Sequence, residues 1–212
     1  MYYLTNNLFF PPVSDASKDG ILAVGGDLSP ERLQLAYKSG IFPWFDNDDT
    51  ILWWSPNPRM VLFLEELIVS KSMRNILNRN SFKVTFNQNF RDVISNCQNI
   101  KRDGQNGTWI TNDMIEAYVK LHQMGIAKSV EVWQNDELVG GLYGIDLGHL
   151  FCGESMFSKV SNASKIAFIT LVEKLKKENY KLVDCQVYNP HLESLGCREI
   201  ERDEFMQILQ RE

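Results

Sequence analysis

The chain has few cysteines, few histidines and no long apolar run. Cys97, Cys152, Cys185 and Cys197 form no CxxC pair and stand far apart. That spacing excludes a disulfide framework and a structural zinc site, and buried, reduced thiols are expected. His122 falls in a helical pattern and His149 starts a strand, so neither clusters with other ligands and no metal is expected. Cys185 and His191 offer a thiol and a base, but a structural thiol is the expectation there. No apolar stretch approaches the ~20 residues of a membrane helix. The N-terminus, MYYLTNNLFFPPVSD, lacks a basic region and a small-residue cleavage pattern. A soluble, cytoplasmic protein without membrane attachment is expected.

What is present is the composition of an ordinary folded protein. Of 212 residues, 44% are hydrophobic and 23% charged, which gives a substantial core and room for a small appendage beside a main domain. The net charge of −5 argues against a general nucleic-acid surface, because phosphate binding draws on clustered Lys and Arg. Local basic runs exist in Lys71, Arg74, Arg79 and Lys83 and in Lys165, Lys174, Lys176, Lys177 and Lys181; a solvated helix face also explains them.

The texture changes near residue 60. Before it, Ser29-Pro30 caps a short helix that carries Leu33, Ala36 and Tyr37 and stops at Gly40. The segment IFPWFDNDDTILWWSPNPR then crowds tryptophans and prolines together, so its indoles belong to loops or edge strands, as a lid over a core or as a stacking platform. Beyond residue 60, MVLFL and FKVTF read as strands. Helices begin at Ser70, near Asn89 and at Thr111, with a polar, mobile loop over 98–107. SVEVW and ELVGGLYGID form a hairpin across Gln134-Asn135-Asp136, and Gly140, Gly141 and Gly144 mark a bulge or a close backbone approach. HLFCGE returns as a strand ending at Gly153-Glu154, with GESMFS (153–158) opening a turn that runs to Val160. Ser161 or Asn162 then caps a helix bearing Ile166, Ile169, Val172 and Leu175, and KLVDCQVY follows as a strand.

Antiparallel strands, a loop, a long helix and a further strand make an α+β fold: an N-acetyltransferase-like (GNAT-like) C-terminal domain over 61–212, with a mixed, mainly antiparallel sheet, and a small N-terminal α+β domain over 1–60 with Trp/Pro-rich loops. In such folds acyl donor and amine meet beside splayed central strands, a likeness that names no chemistry by itself. Period-two geometry puts Asp184 and Gln186 on one face of KLVDCQV and Val183, Cys185 and Val187 on the other. A carboxylate and an amide near Glu154 have the means to orient an amine and accept its proton. An aspartate at a strand end is equally a turn former, so spacing leaves both readings open.

The stretches GGDLSPERL, GIFPWF, ILWWSPNPR, GTWIT, SVEVW, LVGGLYG, FCGESMFS, NASK and DCQVYNPHLESLG, in this order, closely resemble the leucyl/phenylalanyl-tRNA-protein transferases, from about Gly20 to Leu209. The resemblance implies a cofactor-free aminoacyltransferase that moves Leu or Phe from its tRNA to the α-amino group of proteins beginning with Arg or Lys, tagging them for degradation. A monomer is expected. By that resemblance Trp44 and Trp109 hold the terminal adenosine of the tRNA, and Asp184 and Gln186 orient the amine and relay its proton. Phe151, Met156 and Phe157 wall an apolar donor pocket, with Glu154 and Ser158 as polar contacts and Glu154 and Asp184 meeting the basic acceptor. An acetyl-CoA-dependent acetyltransferase shares the fold, but FSKVSNASK lacks the glycines of its pyrophosphate loop. A non-catalytic RNA-binding module needs neither Asp184 nor an apolar pocket.

Overall fold

The computed structural model describes residues 1–45, 50–79, 81–100 and 109–211. Most of the loop expected to be mobile, from 101 onward, lies outside them.

The first part of the chain builds a small sheet. β1 (Tyr2–Leu4) pairs parallel with β2 (Ile21–Gly25); α1 (Pro30–Lys38) follows, and β3 (Phe42–Pro43) and β4 (Leu52–Trp54) complete the order β1-β2-β4-β3. Ser29 caps α1 by accepting the amide of Arg32, and the helix stops before Gly40, whose φ of 73° suits glycine. The tryptophans take different places. Trp53 is buried with its indole N–H on Gly25 O at 2.8 Å, whereas Trp44 and Trp54 are half-buried and tilt against each other.

The larger sheet uses the rest. β5 (Arg59–Phe63), α2 (Lys71–Asn78), β6 (Lys83–Phe86), α3 (Phe90–Asn99) and α4 (Asn112–Gln123) precede the long strands β7 (Ala127–Gln134), β8 (Glu137–Asp146) and β9 (Phe151–Ser158). Then come α5 (Ala163–Lys177), β10 (Leu182–Gln186), the short α6 (Pro190–Glu193), β11 (Arg198–Ile200) and α7 (Arg202–Leu209). The order is β11-β5-β10-β9-β8-β7-β6, antiparallel except for β9 and β10, which α5 joins as a parallel pair. This is a mixed, mainly antiparallel α+β architecture.

The sheet divides the interior into two apolar clusters. α1, α3, α4, α7 and the small sheet pack with Tyr143, Ile145, Cys152 and Phe157 on one side; α5 packs with Met60, Leu142, Phe151 and Val183 on the other. The stripe expected on α5 is buried, and so are Phe90, Val93, Ile94 and Cys97 on α3 and Met114, Ile115, Tyr118 and Leu121 on α4. The hairpin turns at Asn135 and Asp136, both at positive φ. Gly140 marks a close approach, because a Cβ there would lie 2.4 Å from that of Ala163 at the start of α5.

One expectation is corrected. GESMFS is not a turn: β9 runs on through Ser158, paired with β8 from Asp146↔Phe151 to Gly140↔Ser158. The mixture of residues instead reflects an irregular strand. Tyr143 faces Ser155 while the next residue, Gly144, faces Gly153, so Glu154 is an extra residue with no partner on β8. The helix cap differs too. Asn162 makes no side-chain cap, and Ser158 Oγ accepts the Ser164 amide at 3.3 Å from the strand end.

Candidate active site

β9 and β10 pair only at Val183↔Phe151 and Asp184↔Cys152, and then separate. β10 has its own irregularity: Asp184 faces Val61 and Gln186 faces Met60, which leaves Cys185 as the extra residue and Gln186 at φ 67°. A bulge re-aims the side chains beyond it. The two bulges meet across the opening, where the Gln186 amide nitrogen donates to Glu154 Oε1 at 2.8 Å.

A cavity of about 270 Å³ lies in this opening. Leu142, Phe151, Met156, Phe168 and Leu171 form an apolar wall; Glu154 and Gln186 supply polar groups; Trp44 and Trp109 both belong to the lining. The small sheet reaches the same cavity through Phe42 and Pro43. Cys185 and His191 also line it. The thiol of Cys185 contacts Cys197 Sγ at 3.7 Å, and that contact together with burial pushes its pKa well above the usual thiol value. Such a thiol is a poor nucleophile. All four cysteines are free and buried, as expected.

Glu154 is a buried carboxyl group. Burial raises its pKa to about 7, against the hydroxyls of Tyr37 and Tyr118 and the Gln186 amide, which favour the ionised form. Tyr118 Oη donates to Glu154 Oε2 at 3.1 Å. Among the described residues no cation pairs with Glu154, because the nearby guanidinium of Arg59 is committed elsewhere.

That commitment is to Asp184. Arg59 Nε and Nη2 donate to Asp184 Oδ1 and Oδ2 at 2.8 and 2.7 Å, both side chains buried. The guanidinium lies between the rings of Phe42 and Phe205, at 4.8 and 4.6 Å from their centroids, and Nη1 donates to Gly40 O. Asp184 Oδ1 also accepts the amide of Gln186 at 2.9 Å, which anchors that residue's left-handed backbone.

The structure therefore brings Glu154, Gln186, Trp44, Trp109, Phe151 and Met156 to one cavity. Three expected residues lie elsewhere. Asp184 is fully buried behind the lining. Phe157 opposes Gly141 and packs on the α3–α4 side, since it alternates with Met156 across the strand. Ser158 Oγ donates to Val160 O and caps α5. The grouping of Asp184 and Gln186 on one strand face does not hold through the bulge, where Cys185 joins Gln186 on the lining while Asp184 does not. Sequence reasoning missed Arg59 and the two phenols. Arg59 stands between SPNP and MVLFL, and no local pattern marks it.

A family model described as leucyl/phenylalanyl-tRNA protein transferase matches residues 61–210, and one for the N-terminal domain of that transferase matches 26–57. A curated protein of Flavobacterium johnsoniae named leucyl/phenylalanyl-tRNA–protein transferase is 75% identical over 209 residues, 99% of each chain. One of the same name from Flavobacterium psychrophilum is 64% identical over 211 residues, covering both chains fully. Among solved structures, a functionally unknown conserved protein from Staphylococcus epidermidis aligns with a TM-score of 0.48 at 9% identity, over 85% of this chain and 68% of its own. A likeness that distant carries no weight for function.

Proposed function

The chain belongs to the leucyl/phenylalanyl-tRNA protein transferase family, and from that premise we propose how its cavity carries out the transfer. The protein is an aminoacyltransferase: it moves Leu or Phe from aminoacyl-tRNA onto protein, the tagging step of the N-end rule. Its acceptors, in our reading, begin with Arg or Lys.

The observation that carries the reading is the junction of an apolar wall with the Glu154–Gln186 pair in the opening between β9 and β10. The donor's Leu or Phe side chain fills the space against Phe151, Met156 and Leu142. Packing alone discriminates a shape change by ~1–3 kcal/mol, so β-branched side chains are rejected moderately. Trp44 and Trp109 stack the terminal adenosine, a contact worth ~1–3 kcal/mol that does not depend on the acidic net charge. Glu154, which pairs with no cation among the described residues, receives the amine, and Gln186 fixes the carboxylate's direction.

The chemistry needs little else. The ester is already activated, so the amine nitrogen attacks the carbonyl carbon directly, a C–N bond forms, and the C–O bond to the 3′ oxygen breaks. The acceptor's ammonium gives up two protons in all: the attacking nitrogen passes one to the departing 3′ oxygen, and the other is released before attack. Glu154, with its pKa raised to about 7, is suited to accept that proton. Asp184 acts behind it, holding the Gln186 backbone through Oδ1 while Arg59 neutralises its charge.

The parting of β9 and β10 beside α5 supports a GNAT-like reading of the larger sheet. Residues 1–60 act as a small domain that carries Trp44 to the cavity of 61–212. A substrate pair found in the cytoplasm supports a cytoplasmic enzyme, which we read as a monomer. The rival reading, acetyl-CoA as donor, meets an obstacle at the start of α5: the amides of Ala163 and Ser164 already bond to Val160 O and Ser158 Oγ. They are not open to a pyrophosphate. Incubation of the pure protein with radiolabelled Phe-tRNA and an Arg-initiated peptide tests the proposal. Label is expected in the peptide without coenzyme A; no label there, with acetyl transfer from acetyl-CoA instead, overturns it.

A further inference from the structure

Two phenols that the proposed transfer leaves without a role converge on Glu154. Tyr37 comes from α1 and Tyr118 from α4, and both are buried. Tyr118 spends its one hydroxyl proton on Glu154 Oε2 at 3.1 Å. The Tyr37 hydroxyl is hydrogen-bonded to that of Tyr118. Because Tyr118 has no second proton, its oxygen accepts from Tyr37, and the chain runs Tyr37 to Tyr118 to carboxylate. Tyr118 is held edge-on to Tyr143, with ring centroids 5.6 Å apart, so the array is fixed by packing.

We propose that Tyr37 and Tyr118 are positioning residues of the transfer reaction: acting through Glu154, they hold its carboxylate ionised and aimed beside Gln186, so that the cavity presents an anion to the incoming amine at neutral pH.

The groups around Glu154 come from every element packed on it. On β10, Gln186 donates to it, while Asp184 opposes its ionisation by like charge. On β5, Arg59 is spent on Asp184. Cys152, its neighbour on β9, stays neutral because burial pushes its thiol up. Burial is the largest influence on Glu154 and favours the neutral acid; the phenols and Gln186 are the hydrogen-bond donors against it. Both phenols are themselves pushed well above 10, burial being the first cause, and so remain protonated donors. Remove a phenol hydroxyl and the neutral acid gains.

The link to catalysis rests on the transferase reading; the hydrogen-bond chain does not, and the test separates them. Infrared difference titration of the protonated-carboxyl band, assigned with Glu154→Gln, follows the group without turnover. Tyr118→Phe keeps the ring, and the Glu154 midpoint is expected to rise by about one pH unit. Transfer by this variant is expected to fall most below pH 7 and to approach the wild-type rate at pH 8.5. Tyr37→Phe is expected to shift the midpoint in the same direction and serves alone should Tyr118→Phe not fold. An unmoved or lowered midpoint, or a loss of transfer equal at every pH, overturns the proposal. Wild-type protein inactive with Phe-tRNA, but with the midpoint shift intact, would sink the transferase reading instead.

Discussion

Glu154 and Gln186 each follow or form a break in a strand's ladder, and the two breaks face one another, which brings the Gln186 amide nitrogen to 2.8 Å from Glu154 Oε1. Neither side chain would reach the cavity in this way from two regular strands.

The raised pKa of Glu154 sets a pH dependence of stability. A carboxyl group near 4.5 when unfolded and about 7 when folded binds more protons in the native state between those values. Its effect on stability is therefore absent below about pH 4.5, and stability is lost as pH rises through 7. The full loss is about 3 kcal/mol. Urea unfolding at pH 5 and pH 8 is expected to show this loss in the wild type and its absence in Glu154→Gln, with equal pH slopes counting against it.

Asp184→Ala strands the Arg59 guanidinium between Phe42 and Phe205. Breaking a buried pair from one side costs ~3–5 kcal/mol. Replacing both members, as Arg59→Met with Asp184→Leu, is expected to restore most of that stability but not transfer, because the Gln186 amide loses its anchor. Denaturant melts paired with peptide labelling measure the two effects separately, and recovery of both would end the positioning role of Asp184.

Trp109→Ala and Trp44→Ala are each expected to weaken binding of Phe-tRNA by about 5- to 150-fold, the equivalent of ~1–3 kcal/mol per stacked base. Filter retention of the charged tRNA reads this directly. Undiminished retention by both variants would remove the indoles from the donor site.

Met156 and Phe157 are neighbours with opposite duties. Met156→Ala widens the apolar wall and is expected to shift the preference between Leu and Phe, with modest loss of stability. Phe157→Ala is expected to cost ~3–5 kcal/mol of folding and to leave the donor preference unchanged. Competition between Leu-tRNA and Phe-tRNA, alongside thermal melts, distinguishes them; a preference shift in Phe157→Ala would contradict its burial beside α3 and α4.

Much of the fold was legible because its signals are local. The caps at Ser29, Ser70 and Thr111, the turn at Asn135-Asp136 and the stripes of α3 to α5 depend on residues within a few positions of one another. GESMFS misled because a glycine followed by polar residues looks like chain reversal, and an inserted strand residue leaves no periodic mark of its own. Arg59 escaped notice for a different reason. Its partner lies 125 residues away, and only the sheet order places β5 against β10. Tyr37 and Tyr118 sit in the apolar stripes of α1 and α4, where the sequence pattern shows only rings to be buried; their hydroxyls meet only after the two helices have packed.

The paired bulges have a further consequence. Because Glu154 is an inserted residue, Cys152 and Phe157 share a face although an odd number of positions separates them, so a change that let the strand run regularly through all its residues would turn the remainder over without altering any other letter of the text. What such a change removes is parity rather than a functional group, and an enzyme with the right residues and the wrong tally between them would point its grease where its acid belongs.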